Sequence, residues 1–121
     1  MDSKYFVPFE VVDELRKIGY SPQRDHCLNS FNERRQELEP RPIYTQVFDW
    51  FDKNGIYFTI KPVIKNGNLF YESQMFEFPE AINIPRYWPD DKHYLTRIEA
   101  NLAAVKKGIE IFKYRMEDDK N

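Results

Sequence analysis

The chain has 121 residues, the usual size of one domain, and 41% of them are hydrophobic and 31% charged. These proportions are those of a folded protein and exclude an intrinsically disordered chain. The formal net charge of -2 disfavours a protein that mainly neutralises nucleic-acid phosphates. Cys27 is the only cysteine, which excludes a disulfide framework within the chain, and the apolar runs are too short for a signal peptide or a membrane span. We therefore expect one cytoplasmic domain without membrane contact.

The first predicted helix covers about residues 8–18. Pro8 suits the first helical position, and apolar residues follow at helical spacing, namely Val11 or Val12, Leu15 and Ile18. Gly19 and Tyr20 then predict a Schellman ending, in which a left-handed glycine stops the helix and the next side chain contacts Leu15.

Residues 21–41 form the least regular part of the sequence. They are mostly polar, and the apolar side chains available for burial are few: Cys27, Leu28, Phe31 and Leu38. One interpretation is a short strand around Cys27 and Leu28 followed by a partly helical run over residues 32–38. The other is a long loop.

The second predicted helix covers residues 43–53 and is followed by a β-hairpin over residues 56–78. The helix is indicated by apolar residues at steps of three and four: Tyr44, Val47, Phe48 and Phe51. The hairpin is indicated by β-branched and aromatic residues that run into Asn66-Gly67, the strongest short hairpin signal. Pro62 cannot donate a ladder hydrogen bond, so its strand should lie at an edge or contain a bulge. A third strand is expected at Arg86–Trp88.

The last predicted helix covers residues 96–115 and begins with a capping box made by Thr96 and Glu99. Apolar residues then recur at steps of three and four and predict one core-facing stripe: Ile98, Leu102, Val105, Ile109, Phe112 and Met116. Together these elements predict an α+β fold in which an antiparallel sheet of about three strands is packed by helices.

The run Pro42-Ile43-Tyr44-Thr45-Gln46-Val47-Phe48-Asp49-Trp50-Phe51 resembles a motif, roughly Thr-Tyr-x-Gln-Val-x-Asp-Trp-Phe, of small uncharacterised proteins from phages and prophage-like regions of Bacteroides-type bacteria. The order of elements is similar too, since Gly19-Tyr20 stands where those proteins have a Gly-aromatic pair and Thr96 caps the last helix as theirs is capped. Pro8 replaces a capping Ser of the family, and residues 83–93 lack an obvious counterpart. The resemblance implies a phage-associated accessory protein and brings no catalytic residues.

We predict no catalytic, metal or cofactor site. His26 and Cys27 are adjacent, so their side chains point apart on a strand and do not face each other on a helix. Nothing in the sequence brings the distant His93 to Cys27. Asp90, Asp91 and His93 are the alternative site of a small enzyme or of a hard cation, but a solvated turn after Pro89 explains them better.

The aromatic share of the chain is high, 17%, and predicts that some rings face solvent or a partner. Strand alternation puts Tyr57 on the wet face of the hairpin, where we predict an aromatic interaction surface made by Tyr57, Tyr71, Tyr87 and Trp88. Such a surface favours an unidentified protein partner, with self-association as a further expectation. Arg86-Tyr87-Trp88 also suits stacking on bases, so a weak nucleic-acid-binding module is the alternative.

Overall fold

A computed structural model of the chain describes residues 3–23, 27–78, 86–89 and 92–118. It confirms the α+β class. After a short 3-10 turn at Ser3–Tyr5, the helices are α1 (Phe9–Lys17), α2 (Tyr44–Lys53) and α3 (Arg97–Asp118). The strands β1 (Cys27–Asn32) and β2 (Glu37–Pro42) form a two-stranded sheet, and β3 (Ile56–Lys65), β4 (Asn68–Glu77) and β5 (Arg86–Pro89) form a three-stranded sheet in that order.

The end of α1 confirms the predicted Schellman motif. The Tyr20 N–H donates to the Leu15 carbonyl at 3.0 Å, and the Gly19 N–H donates to the Arg16 carbonyl at 3.1 Å. Gly19 has a φ of 105°, a backbone conformation that residues other than glycine rarely adopt. At the other end, Pro8 precedes the helix in an extended conformation instead of opening it, and its carbonyl accepts the first helical N–H groups.

The core lies where the three helices meet the inner face of the three-stranded sheet. Its fully buried centre comprises Leu15 of α1, Val47 and Phe51 of α2, Ile56 of β3 and Val105 of α3. The predicted stripe on α3 is correct for Val105 and Ile109, which are buried, and for Ile98, Leu102 and Phe112, which are partly buried and pack against the core. It is wrong for Met116, which is 39% exposed. The buried face instead continues through small residues and one further apolar side chain: Ala100, Ala104, Gly108 and Ile111.

Gly108 explains why the buried face of α3 differs from the predicted stripe. A Cβ atom at this position would lie 2.9 Å from Cζ of Phe51 and 2.7 Å from Cζ of Phe58. Those distances are shorter than carbon atoms tolerate, so the ring tips occupy the space that a side chain would need. The helix therefore approaches α2 and β3 through its small residues.

The predicted hairpin forms β3 and β4 of the three-stranded sheet. Asn66 and Gly67 have φ values of 53° and 78°, as a two-residue type I′ turn requires, and Lys65 pairs with Asn68. β3 is an edge strand, which confirms the prediction from Pro62. The third strand is also confirmed at Arg86–Pro89, where it pairs antiparallel with β4.

Residues 27–42 correct the sequence analysis, because they form a second hairpin in place of a partly helical run or a loop. β1 pairs with β2 from Cys27 opposite Pro42 to Asn32 opposite Glu37. In the turn, the backbone N–H groups of Arg35 and Gln36 both donate to the Asn32 carbonyl. The hairpin is held to the rest of the protein by hydrogen bonds from the Arg41 side chain to the carbonyls of Phe6 and Val7, each 3.0 Å long.

A buried ion pair connects β4 to the last turns of α3. The Glu77 carboxylate, 2% exposed, accepts a hydrogen bond from Nε of Arg115. Nη1 of Arg115 donates to the Asn54 carbonyl at 2.7 Å, at the end of α2. One guanidinium thus joins three elements. α3 ends at Asp118, three residues beyond the predicted end.

Candidate interaction surface

The outer face of the three-stranded sheet is the face that the helices do not cover. Strand partners point to the same side of a sheet, and successive residues alternate between sides. Tyr57 pairs with Phe76, and Phe76 pairs with Tyr87, so these three side chains form one row across β3, β4 and β5. The next residues along β4, Met75 and Glu77, are buried on the opposite side.

Four aromatic rings form a patch at one end of this outer face, and we call them the aromatic patch: Tyr57, Phe76, Phe78 and Tyr87. The ring centroids of Phe76 and Tyr87 are 5.1 Å apart, and those of Tyr57 and Phe78 are 5.5 Å apart in an edge-to-face arrangement. Tyr57 is 41% exposed, and Phe78 and Tyr87 are each 50% exposed. The rings therefore hold one another in place while leaving large apolar faces in water.

The structure separates the four aromatic residues predicted to share a surface. Tyr57 and Tyr87 lie in the same row, each beside Phe76. Tyr71 pairs with Pro62 on the opposite side, where the guanidinium of Arg97 lies 5.1 Å from the centre of its ring. Trp88 pairs with Met75, a register position that alternates with that of Tyr87. Tyr71 therefore does not share the row of Tyr57 and Tyr87, because it stands five positions before Phe76 on β4 and an odd separation puts it on the other side of the sheet.

Sequence reasoning missed Phe76 and Phe78, and a signal for Phe76 was available. A two-residue turn at Asn66-Gly67 fixes Lys65 opposite Asn68, and counting back along both strands from that pair places Phe76 opposite Tyr57. Phe78 follows the end of β4, where its N–H donates to the Gly55 carbonyl at 2.8 Å. Its contact with Tyr57 has no comparable sequence signal.

A polar row follows the aromatic patch along the same face. Nε2 of His93 lies 2.9 Å from Oε1 of Glu72, and Nζ of Lys61 lies 3.9 Å from the other carboxylate oxygen. The ring of Phe70 packs edge-to-face against that of His93, with centroids 5.9 Å apart. Glu72 was not a predicted partner of His93, and the two other members of the alternative site, Asp90 and Asp91, lie outside the described residues.

The contacts of Cys27 argue against a nucleophilic thiol. Its Sγ lies 3.0 Å from the Gln23 carbonyl and 3.8 Å from Oε1 of Gln46. Burial raises the pKa of the thiol, whereas a catalytic cysteine needs a lowered one. His26 lies outside the described residues. Within the part of the chain that the structure describes, no three side chains of His, Cys, Asp or Glu converge as metal ligands would.

The raised pKa of Cys27 leads to a testable prediction about its reactivity. We expect iodoacetamide to alkylate the folded protein more slowly at neutral pH than it alkylates the urea-unfolded chain, because less thiolate is present. The alkylation rate should rise with pH and give an apparent pKa above the ordinary cysteine value of about 8.5. An apparent pKa below that value would indicate an activated thiolate and contradict the prediction.

A small hollow lies beside Cys27, between the end of α1 and the exposed side of α2. It has a volume of about 190 Å³, and its lining includes Tyr20, Gln46, Asp49 and Trp50. The rings of Tyr20 and Trp50 meet edge-to-face with centroids 5.7 Å apart, and burial raises the pKa of Tyr20 to about 12. The polar positions of the Pro42–Phe51 run thus line this hollow, whereas its apolar positions, Tyr44, Val47 and Phe51, are core.

Comparison with known proteins gives no family model, no curated protein and no solved structure that matches this chain. Among the described residues, no helix is both long enough and apolar enough to cross a membrane.

Proposed function

We propose that this chain is a protein-recognition module that binds a partner protein through the aromatic patch, and that it acts as an accessory protein and not as an enzyme. The observation that carries the proposal is the exposure of Tyr57, Phe78 and Tyr87 side by side on the uncovered face of the sheet. Tyrosine and phenylalanine rings supply large contact areas with little conformational entropy to lose, and they are enriched at the centres of protein interfaces. The resemblance of residues 42–51 to phage-associated proteins supports an accessory role.

The strand edges support recognition by the face of this sheet and not by addition of a strand to it. β3 carries Pro62 in its middle, and the side chain of Arg97 donates to the Ile60 carbonyl at 3.4 Å. β5 has only four residues and ends at Pro89. Prolines and short edge strands both discourage pairing with another strand, so the side chains of the outer face are what the sheet presents to a partner.

A nucleic-acid-binding module is the second candidate, because exposed rings on a sheet can also stack on bases. The row beside the aromatic patch is unfavourable for that role. The Glu72 carboxylate there contacts both Lys61 and His93. It therefore offsets the positive charge of Lys61, which a phosphate backbone would need. Binding of single-stranded DNA that falls steeply with salt would favour this candidate over protein recognition.

A pulldown from host lysate with matched variants tests the proposed function. We expect the double variant Tyr57→Ser/Tyr87→Ser to retain its partner at least about tenfold more weakly, since each interface ring of this kind commonly contributes about 1–2 kcal/mol. The control is Tyr114→Ser, which removes a more exposed tyrosine, 61% exposed, from α3. If both variants retain the same proteins as the natural chain, the aromatic patch is not the binding surface.

A further inference from the structure

The free edge of β1 differs from the other strand edges of the described residues. β3 and β5 are interrupted or ended by prolines, as set out above, and β2 contains Pro40 and Pro42. β1 has the sequence Cys-Leu-Asn-Ser-Phe-Asn, with no proline and no charged residue. No other strand of the described part of the chain pairs with it besides β2.

The prolines of β2 establish which backbone groups of β1 point to that free edge. Pro40 pairs with Asn29, and Pro42 pairs with Cys27. Because proline has no N–H, these are the pairs of the ladder that exchange no hydrogen bonds. The Pro42 carbonyl accordingly faces outward, where it accepts from the Val7 N–H at 2.8 Å. By the same alternation, the N–H and C=O groups of Cys27, Asn29 and Phe31 point away from β2, toward the free edge of β1.

This edge is complementary to itself. In an antiparallel pair of two β1 strands centred on Asn29, Cys27 of each copy stands opposite Phe31 of the other, and Asn29 stands opposite itself. All three outward-facing residues would then exchange both of their backbone hydrogen bonds. Since β1 carries no charge, the pairing opposes no like charges.

The side chains next to the edge support the same pairing. Phe31 and its partner Leu38 are 53% and 67% exposed. Pairing of the two β1 strands would extend the row of Phe31 and Leu38 into Cys27 and Pro42 of the second copy. Pro42 is fully buried within its own chain. The result is an apolar row across four strands. A two-stranded sheet by itself is marginal, and one of four strands is more stable.

We infer that β1 is a dimerisation edge, at which the β1 strands of two copies of this chain pair antiparallel about a two-fold axis through Asn29 to form one four-stranded sheet. An isologous contact of this kind closes on itself, so it yields a dimer and not a fibre. The inference is independent of the aromatic patch, which lies on the other sheet, and either could fail without the other.

The oligomeric state of two Asn29 variants tests the inference. We expect light scattering after size exclusion to give twice the chain mass for the natural protein and for Asn29→Ala, which keeps the backbone N–H. Asn29→Pro loses that N–H on the free edge, while the ladder to β2 does not use it, so the variant should be folded and monomeric. A natural chain that is monomeric over a dilution series overturns the inference, even if the edge accepts a peptide from another protein. A folded, dimeric Asn29→Pro variant overturns it as well.

Disulfide trapping gives a second readout that does not depend on the folding of the proline variant. Residues in a hydrogen-bonded antiparallel pair have Cα atoms about 5.5 Å apart, within the range of about 4.4–6.8 Å that a disulfide spans. In a Cys27→Ser background, mild oxidation should therefore convert most of the Asn29→Cys variant to a covalent dimer. Thr59→Cys, an exposed position on β3, is the matched control and should stay monomeric. Equal cross-linking of the two variants would overturn the inferred register.

Discussion

Replacing Arg115 by Ala is expected to lower the free energy of unfolding by about 3 kcal/mol or more, because it removes the guanidinium that forms an ion pair with the buried carboxylate of Glu77. Glu77 is 2% exposed, and the same guanidinium also donates to the Asn54 carbonyl. Urea denaturation followed by circular dichroism would measure the loss. Arg34→Ala, at an exposed arginine in the β1–β2 turn, is the control and should change the stability by no more than about 0.5 kcal/mol.

A double variant separates the free energy lost when only one partner is removed from the net free energy that the ion pair contributes. Glu77→Met/Arg115→Met removes both charges and keeps apolar volume at both positions. Burying two charges costs nearly as much as their attraction returns, so we expect the double variant to be more stable than Arg115→Ala alone. If Arg115→Ala is as stable as the Arg34 control, the ion pair contributes nothing to the stability of the fold.

Replacing Gly108 by Ala is expected to destabilise the protein by about 1–3 kcal/mol, although alanine is the better helix former by about 1 kcal/mol. The added Cβ would meet the ring tips of Phe51 and Phe58 at less than 3.0 Å. Phe51 is fully buried, so its ring has little room to move. Thermal unfolding provides the measurement, and Glu110→Ala on the exposed side of the same helix provides the control.

A second substitution tests whether the clash with the rings is the cause. Phe58→Leu shortens one of the two side chains that face Gly108. In the double variant Gly108→Ala/Phe58→Leu, the alanine should therefore cost less than it costs in the natural background. A Gly108→Ala variant that is more stable than the natural protein would show that the rings yield freely and that helix propensity decides the outcome.

The sequence predicted those parts of the fold that depend on local signals. Gly19, Thr96 and Asn66-Gly67 each act within a few residues, and the Thr96 hydroxyl does accept the Glu99 N–H at 3.1 Å. The β1–β2 hairpin has no such signal. Its turn places Gln36 at a φ of 55° without the Gly or Asn that commonly marks this conformation. Its sheet is stabilised by a contact across the two strands, the 3.0 Å hydrogen bond from the Asn32 amide to the buried Glu39 carboxylate.

The candidate surface was predictable only in part, for a related reason. The abundance of aromatic residues indicated that some rings are exposed, and strand alternation identified Tyr57. Whether Tyr87 or Trp88 shares a face with Tyr57 depends on the register between β4 and β5, and no turn signal fixes that register. The pairing of His93 with Glu72, 21 residues apart in the chain, likewise arises from tertiary structure alone.

The separation of Arg115 from Glu77 along the chain bears on when the three-stranded sheet can close. Glu77 is synthesised 38 residues before the arginine that neutralises it. A nascent chain that already contains β3 and β4 would therefore have to bury this carboxylate without the guanidinium of Arg115. Burial of that kind is costly, so the sheet is expected to close only after α3 has been synthesised.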